Sequence, residues 1–301
     1  VDAGSINNTF IGHGVGDATL ADATYNVGVG TNALTALTSG EGNTAIGTYA
    51  GQAITSGARN TILGYGAFGA ASGDEDFNTV IGHGAGASIS DNGADNNIII
   101  GYDAGTGGSA AMASCIAIGN NAMNSTAGNA ITGTIAIGHN ALTAQTADAG
   151  AVAIGYQAGL INATGSKNVL VGYQTGISFT DMDNTVLVGY QAGKSIDDNG
   201  GDGTVAIGYL ALTGLEDGGA NTAATTSAAD GTVAIGHQAL TALTSGTQNT
   251  AIGSVAGDLI TTGGFNTIVG FEAFTTAAGD DSGNTAIGAQ ALAVQNFTSA
   301  T

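Results

Sequence analysis

The sequence predicts an all-β chain, a parallel β-solenoid (β-roll) of about sixteen coils of 17–19 residues each. Three observations predict it. A short apolar run ending in glycine recurs sixteen times, from Gly12 and Gly30 to Gly270 and Gly288. Successive glycines are 17, 18 or 19 residues apart, with one interval of 28 between Gly208 and Gly236. The residue three before each glycine is Thr, Val or Ile in every copy, and the residue one before is Ile, Val or Leu. A period this short cannot hold a pair of helices, and β-branched residues at alternate positions describe one face of a strand.

Each coil is then taken in order. The strand is the three residues before the glycine, as in Thr44-Ala45-Ile46 or Val169-Leu170-Val171. Its middle position is also small or apolar, so the strand is apolar on both faces and both must be covered. The β-branched columns are assigned to the coil interior. The middle column is assigned to an outward stripe. Four residues before the glycine, ten copies carry Asn, including Asn43, Asn60, Asn168 and Asn249. Stacked Asn side chains can hydrogen-bond from coil to coil at the ~4.8 Å strand spacing. Cys115 falls in the same column and reads as a small buried hydrophobe.

After the glycine, fourteen of sixteen copies have Ala at the third position, followed by Gly or a large apolar residue. Another apolar residue often follows at the seventh, as at Leu37, Ile54, Ile89 and Ile260. This reads as one helical turn stopped by glycine, with a second short strand as the competing assignment. The rest of each coil is a polar loop rich in Asp, Gly, Ser and Asn that faces solvent. The chain divides into a lead-in over residues 1–8 and a single solenoid over 9–301, with a loop insertion at 214–231. Sixteen coils give a rod on the order of 70–80 Å long.

Composition narrows the function classes. The chain has 301 residues, 53 glycines, 3 Lys plus Arg and 23 Asp plus Glu, a net charge of −20. Three cations cannot neutralise a phosphate backbone, which excludes nucleic acid as a partner. No run of ~18 apolar residues exists to span a membrane. The start at Val1 without a leader reads as a processed or partial chain.

Asn249-Thr250-Ala251-Ile252-Gly253, with Gly155-Tyr156-Gln157-Ala158-Gly159 and Gly236-His237-Gln238-Ala239-Leu240, carries a resemblance. These strings resemble the N-T-A-I-G-Y-Q-A-L repeats of phage tail fibres and related bacterial surface proteins. They are also similar to the shorter A-I-G repeats in trimeric autotransporter adhesin heads. The resemblance covers the sixteen coils and implies a trimeric parallel β-solenoid at a virion or cell surface. The adhesin heads have a shorter period, and no anchor barrel, coiled-coil stalk or fibre chaperone domain is visible in the chain.

Three sets of candidate residues follow. The position after the glycine holds all four histidines and six of eight tyrosines. Tyr156, Tyr173, Tyr190, Tyr209 and His237 therefore form a candidate receptor or glycan stripe, against the plainer reading of a packing column. The outward stripe assigned to the middle of the strand makes Ala136, Ala153, Leu170, Leu187, Ala206 and Ala234 the candidate trimer interface. Asp197, Asp198 and Asp202, or Asp74 with Asp76, supply hard oxygens for calcium, against the reading of a solvated acidic surface. No nucleophile sits beside a base, so the chain is not expected to be an enzyme.

The expected function is that of a structural and attachment segment in a homotrimeric extracellular fibre, most simply a phage tail fibre or comparable appendage. A bacterial trimeric adhesin head is the alternative. A self-assembling filament or ice-binding solenoid is the third reading. For ice binding the Thr44, Thr61 and Thr79 column speaks in favour and its replacement by Ile or Val from Ile98 to Val233 speaks against.

Overall fold

The computed structural model describes residues 6–71, 73–90, 93–108, 112–126, 130–145, 150–162, 164–178, 181–196, 201–214, 229–275 and 281–293. Two compact units are present, residues 1–151 and 152–301. Both are parallel β-solenoids, and no helix occurs among the described residues. In particular, none of them forms a helix long and apolar enough to cross a membrane.

The first unit carries β1 (Thr9–Ile11), β2 (Val27–Val29), β3 (Thr44–Ile46), β4 (Thr61–Leu63), β5 (Thr79–Ile81), β6 (Ile98–Ile100), β7 (Met112–Ala113), β8 (Ile116–Ile118), β9 (Ile131–Thr132) and β10 (Ile135–Ile137). Eight of these form one parallel sheet in the order β1-β2-β3-β4-β5-β6-β8-β10, and β7 pairs with β9 as a second small sheet. The second unit carries β11 (Val152–Ile154), β12 (Val169–Val171), β13 (Val186–Val188), β14 (Val205–Ile207), β15 (Val233–Ile235), β16 (Thr250–Ile252), β17 (Thr267–Val269) and β18 (Thr285–Ile287), paired in chain order. Register is uniform: Thr44, Ala45 and Ile46 face Thr61, Ile62 and Leu63, and Val169, Leu170 and Val171 face Val186, Leu187 and Val188. Every repeat position thus becomes a ladder.

The orientation of the strand is the reverse of the sequence expectation. The middle residue points into the coil and the two β-branched neighbours point out. Ala136, Ala153, Leu170, Leu187, Ala206 and Ala234 are all 0% exposed within their own chain, so they are not an interface. The physical reason is the small bore of the coil. Its interior must also take the residues four and seven places after the glycine, and in most coils the fourth is small where the middle of the strand is large and large where it is small. Leu170 is matched with Gly176 and Leu187 with Gly193, whereas Ala136 is matched with Leu142 and Ala234 with Leu240. An added Cβ at Gly193 would come within 2.7 Å of Leu187 Cδ1, so the leucine already fills that space. At Gly51, whose own strand offers only Ala45, the space is filled by Ile62 from the next coil. Close packing of this kind fills the bore partly with side chains from neighbouring coils.

The segment after the glycine is neither a helical turn nor a strand. The second and fourth residues after the glycine have φ near +50 to +60°, as at Asn140 and Leu142 or Leu210 and Leu212. Alternating left- and right-handed residues cannot propagate a helix. Backbone groups there bond instead to the next coil, as Leu34 N–H does to Ala50 O at 3.1 Å and Gly51 N–H to Ala67 O at 2.9 Å.

The Asn ladder forms as the sequence implies. Asn43 Oδ1 accepts from the Asn60 backbone N–H and from Asn60 Nδ2, each at 3.0 Å. Asn43 Nδ2 donates to Asn26 Oδ1 at 3.1 Å and to Gly57 O at 2.7 Å. The chain of amides continues through Asn78 to Asn97, whose Oδ1 accepts from Cys115 N–H at 2.9 Å. Cys115 is buried, and burial pushes its thiol pKa up, which keeps it an unreactive packing residue.

Candidate functional site

Two surfaces stand out. The first is the outward face of each sheet. It consists of the Thr, Val, Ile and Leu residues that flank the middle of every strand, and it bears no charged or amide side chain. Ile46, Leu63, Ile98, Ile154, Ile207 and Ile252 on this face are all exposed. The sequence reading missed these residues because their size marked them as core.

The second is the aromatic column after the glycine. In the second unit Tyr156, Tyr173, Tyr190, Tyr209 and His237 stack in series, with ring centroids 5.1–5.3 Å apart and planes within 5–13° of parallel. The structure thus brings all five candidate stripe residues together. Their ring faces are turned to one another, so the inner rings offer solvent an edge rather than the face on which a sugar ring would stack. Beside them runs an amide ladder, with Gln174 Nε2 donating to Gln157 Oε1 and Gln191 Nε2 to Gln174 Oε1, each at 2.8 Å. The first unit has a shorter stack in which His83 lies between Tyr65 and Tyr102.

Of the acidic candidates, the described ones, Asp74, Asp76 and Asp202, do not form a metal-binding group. Asp74 is exposed, while the neighbouring Glu75 is buried and accepts from Gly73 N–H. Asp76 Oδ1 accepts from Ala58 N–H at 2.6 Å. Asp202 Oδ1 accepts from Asp183 N–H at 2.8 Å, and Asp230 Oδ1 does the same for Gly201 and Asp202. These carboxylates form a ladder that caps backbone groups of the preceding coil. Asp197 and Asp198 lie outside the described residues, as does most of the 214–231 insertion. Among the described residues no group of three His, Cys, Asp or Glu side chains is placed to hold a metal ion. Because the ladder oxygens already bind N–H groups, melting in the presence of EDTA is expected to match melting without it. A drop of several degrees in EDTA would assign a structural cation to the loops.

Sequence reasoning also passed over Asp258. Its Oδ1 is buried without a hydrogen-bond partner, burial raises its pKa, and the charge of nearby Glu272 adds to the rise.

Comparison with protein families, with curated proteins and with solved structures returns no match for this chain.

Proposed function

We propose that the chain is a structural and attachment segment of a homotrimeric extracellular fibre, as in a phage tail fibre or comparable appendage, and that the outward sheet face is where the three copies meet. One observation carries this reading. A chain of net charge −20 keeps the whole outward face of both sheets free of charge. Sixteen partly exposed side chains per eight-stranded sheet offer on the order of 800 Å² of largely apolar surface, the share each partner gives to a standard interface and more than most monomers expose. The face repeats at the coil spacing, so the surface that matches it over many coils is another solenoid of the same period. Closed threefold symmetry buries one such face per copy and leaves the acidic loops outside.

Light scattering tests the proposal. The wild type is expected at three times the chain mass. Val171→Asp combined with Val188→Asp places charges on the face without touching the coil interior, and should give a folded monomer by circular dichroism and mass. A wild-type monomer at micromolar concentration, or a double variant that keeps the trimer mass, overturns it.

A second reading has its own observation. Thr44, Thr61 and Thr79 in the first unit and Thr250, Thr267 and Thr285 in the second lie on the outward columns, which suits an ice-binding plane. Thermal hysteresis of the purified chain, lost on replacing Thr61 and Thr79 by Lys, would favour it over the fibre.

A further inference from the structure

We infer that the tyrosine stack of the second unit is an oxidative cross-linking site, at which a peroxidase with hydrogen peroxide fastens consecutive coils covalently through dityrosine. The argument begins with what the chain offers to a one-electron oxidant. It has no tryptophan. Its three methionines, Met112, Met123 and Met182, and its single cysteine are buried. Tyrosine is therefore the readily oxidised side chain that the surface presents. Tyr156, Tyr173, Tyr190 and Tyr209 are 41–48% exposed, enough for an oxidant to reach the ring edge.

Geometry then sets the product. An isolated phenoxyl radical must wait for a collision with another chain. Here each tyrosine already has a neighbour 5.1–5.3 Å away, nearly parallel, and held there by the register of β11 to β14. Pre-positioning of this kind turns a bimolecular coupling into a unimolecular one. Each of two phenols gives up one electron and its hydroxyl proton. The two phenoxyl radicals join through their ortho carbons, and the ortho hydrogens move to oxygen to restore both phenols. The two electrons and two protons reduce one hydrogen peroxide to two waters, so the protein loses two hydrogen atoms per link. A link of this kind joins coils that one lone cysteine cannot join by a disulfide.

The first unit supplies an internal control. Its stack runs Tyr65, His83, Tyr102, so no two tyrosines there are stacked neighbours, and Tyr49 meets Tyr65 edge-on at 5.8 Å. Tyr25 is exposed and lies outside both stacks.

The experiment treats the full chain with horseradish-type peroxidase and hydrogen peroxide over a hundredfold dilution series. Dityrosine fluorescence should appear with a yield per chain that does not fall on dilution. The protein should stay at the single-chain position on a denaturing gel. Peptide mapping should find links between Tyr156 and Tyr173, Tyr173 and Tyr190, or Tyr190 and Tyr209. Tyr173→Phe with Tyr209→Phe keeps the stacked shape but leaves no adjacent tyrosine pair within this stack, and should lower the yield of links mapped to the second unit at least tenfold, with the edge-on Tyr49–Tyr65 pair counted separately. Fluorescence that vanishes on dilution, links that join chains through Tyr25, or a double variant with the wild-type yield would each overturn the assignment.

Discussion

Replacing Gly189 by alanine should destabilise its unit by about 4 kcal/mol, or prevent the coils around it from closing. Two effects add. Gly189 has a φ of +138°, a conformation closed to residues with a side chain. Its missing Cβ would also overlap the carbonyl oxygen of Gly208 on the next coil. That oxygen cannot move away alone, because the strands, amides and rings on either side share the same spacing. Gly66 makes the contrast. It too has positive φ, but a Cβ there meets nothing within 4 Å, and the equivalent position holds Asn or Gln in eight of the sixteen coils. Gly66→Asn should change stability by well under ~1 kcal/mol. Urea midpoints of the two variants measure the difference. Equal effects would mean that the glycine column does not set the coil spacing.

Asn60→Ala should cost about 4 kcal/mol. The side chain accepts from Asn78 N–H at 2.9 Å and Nδ2 at 3.0 Å, and donates to Asn43 Oδ1 at 3.0 Å and Glu75 O at 2.6 Å. All of this is buried, and each stranded group costs ~1–3 kcal/mol. Threonine is the informative control, because the chain uses it in the same column. Thr185 Oγ1 donates to Gly201 O at 2.9 Å and Thr204 Oγ1 to Ala229 O at 2.7 Å, replacing one of the amide's bonds. Asn60→Thr should therefore lose about half as much as Asn60→Ala. Equal losses would show that the amide-to-amide bonds, not the bond to the loop carbonyl, carry the column.

These two columns were legible in the sequence, and the reason is chemical. Asn at a fixed place in a short period has one economical use, and a glycine that closes the same apolar run in every copy marks the repeat. The stacking of Tyr156, Tyr173 and Tyr190 was legible for the same reason, since identical residues one period apart must meet. The facing of the strand was not. Ile137 and Ala136 are both apolar, and hydropathy ranks the larger one as core. What decides is volume: Ala136 lies inside because Leu142 occupies the same cross-section, a constraint between residues six apart that no periodicity of a single column reveals. The turn after the glycine was misread because left-handed residues such as Leu142 and Met123 carry no sequence mark. The true outward face was therefore hidden among residues assigned to the core.

The uniform register has a consequence for how such a chain can change over generations. In either unit each coil meets its neighbour through the same backbone atoms, strand to strand in one register. Unequal crossing-over between two copies of the repeat in the gene would delete or duplicate whole coils, and the product would still be in register at the new junction. Length is then a trait that selection can adjust in steps of one coil without redesigning any contact. The size pairing inside the bore limits which junctions succeed: joining a Gly51-type coil to a neighbour without a large residue such as Ile62 leaves a void, while joining two Phe68-type coils crowds it. Repeats from different places in the gene are therefore interchangeable in their backbone and selective in their filling.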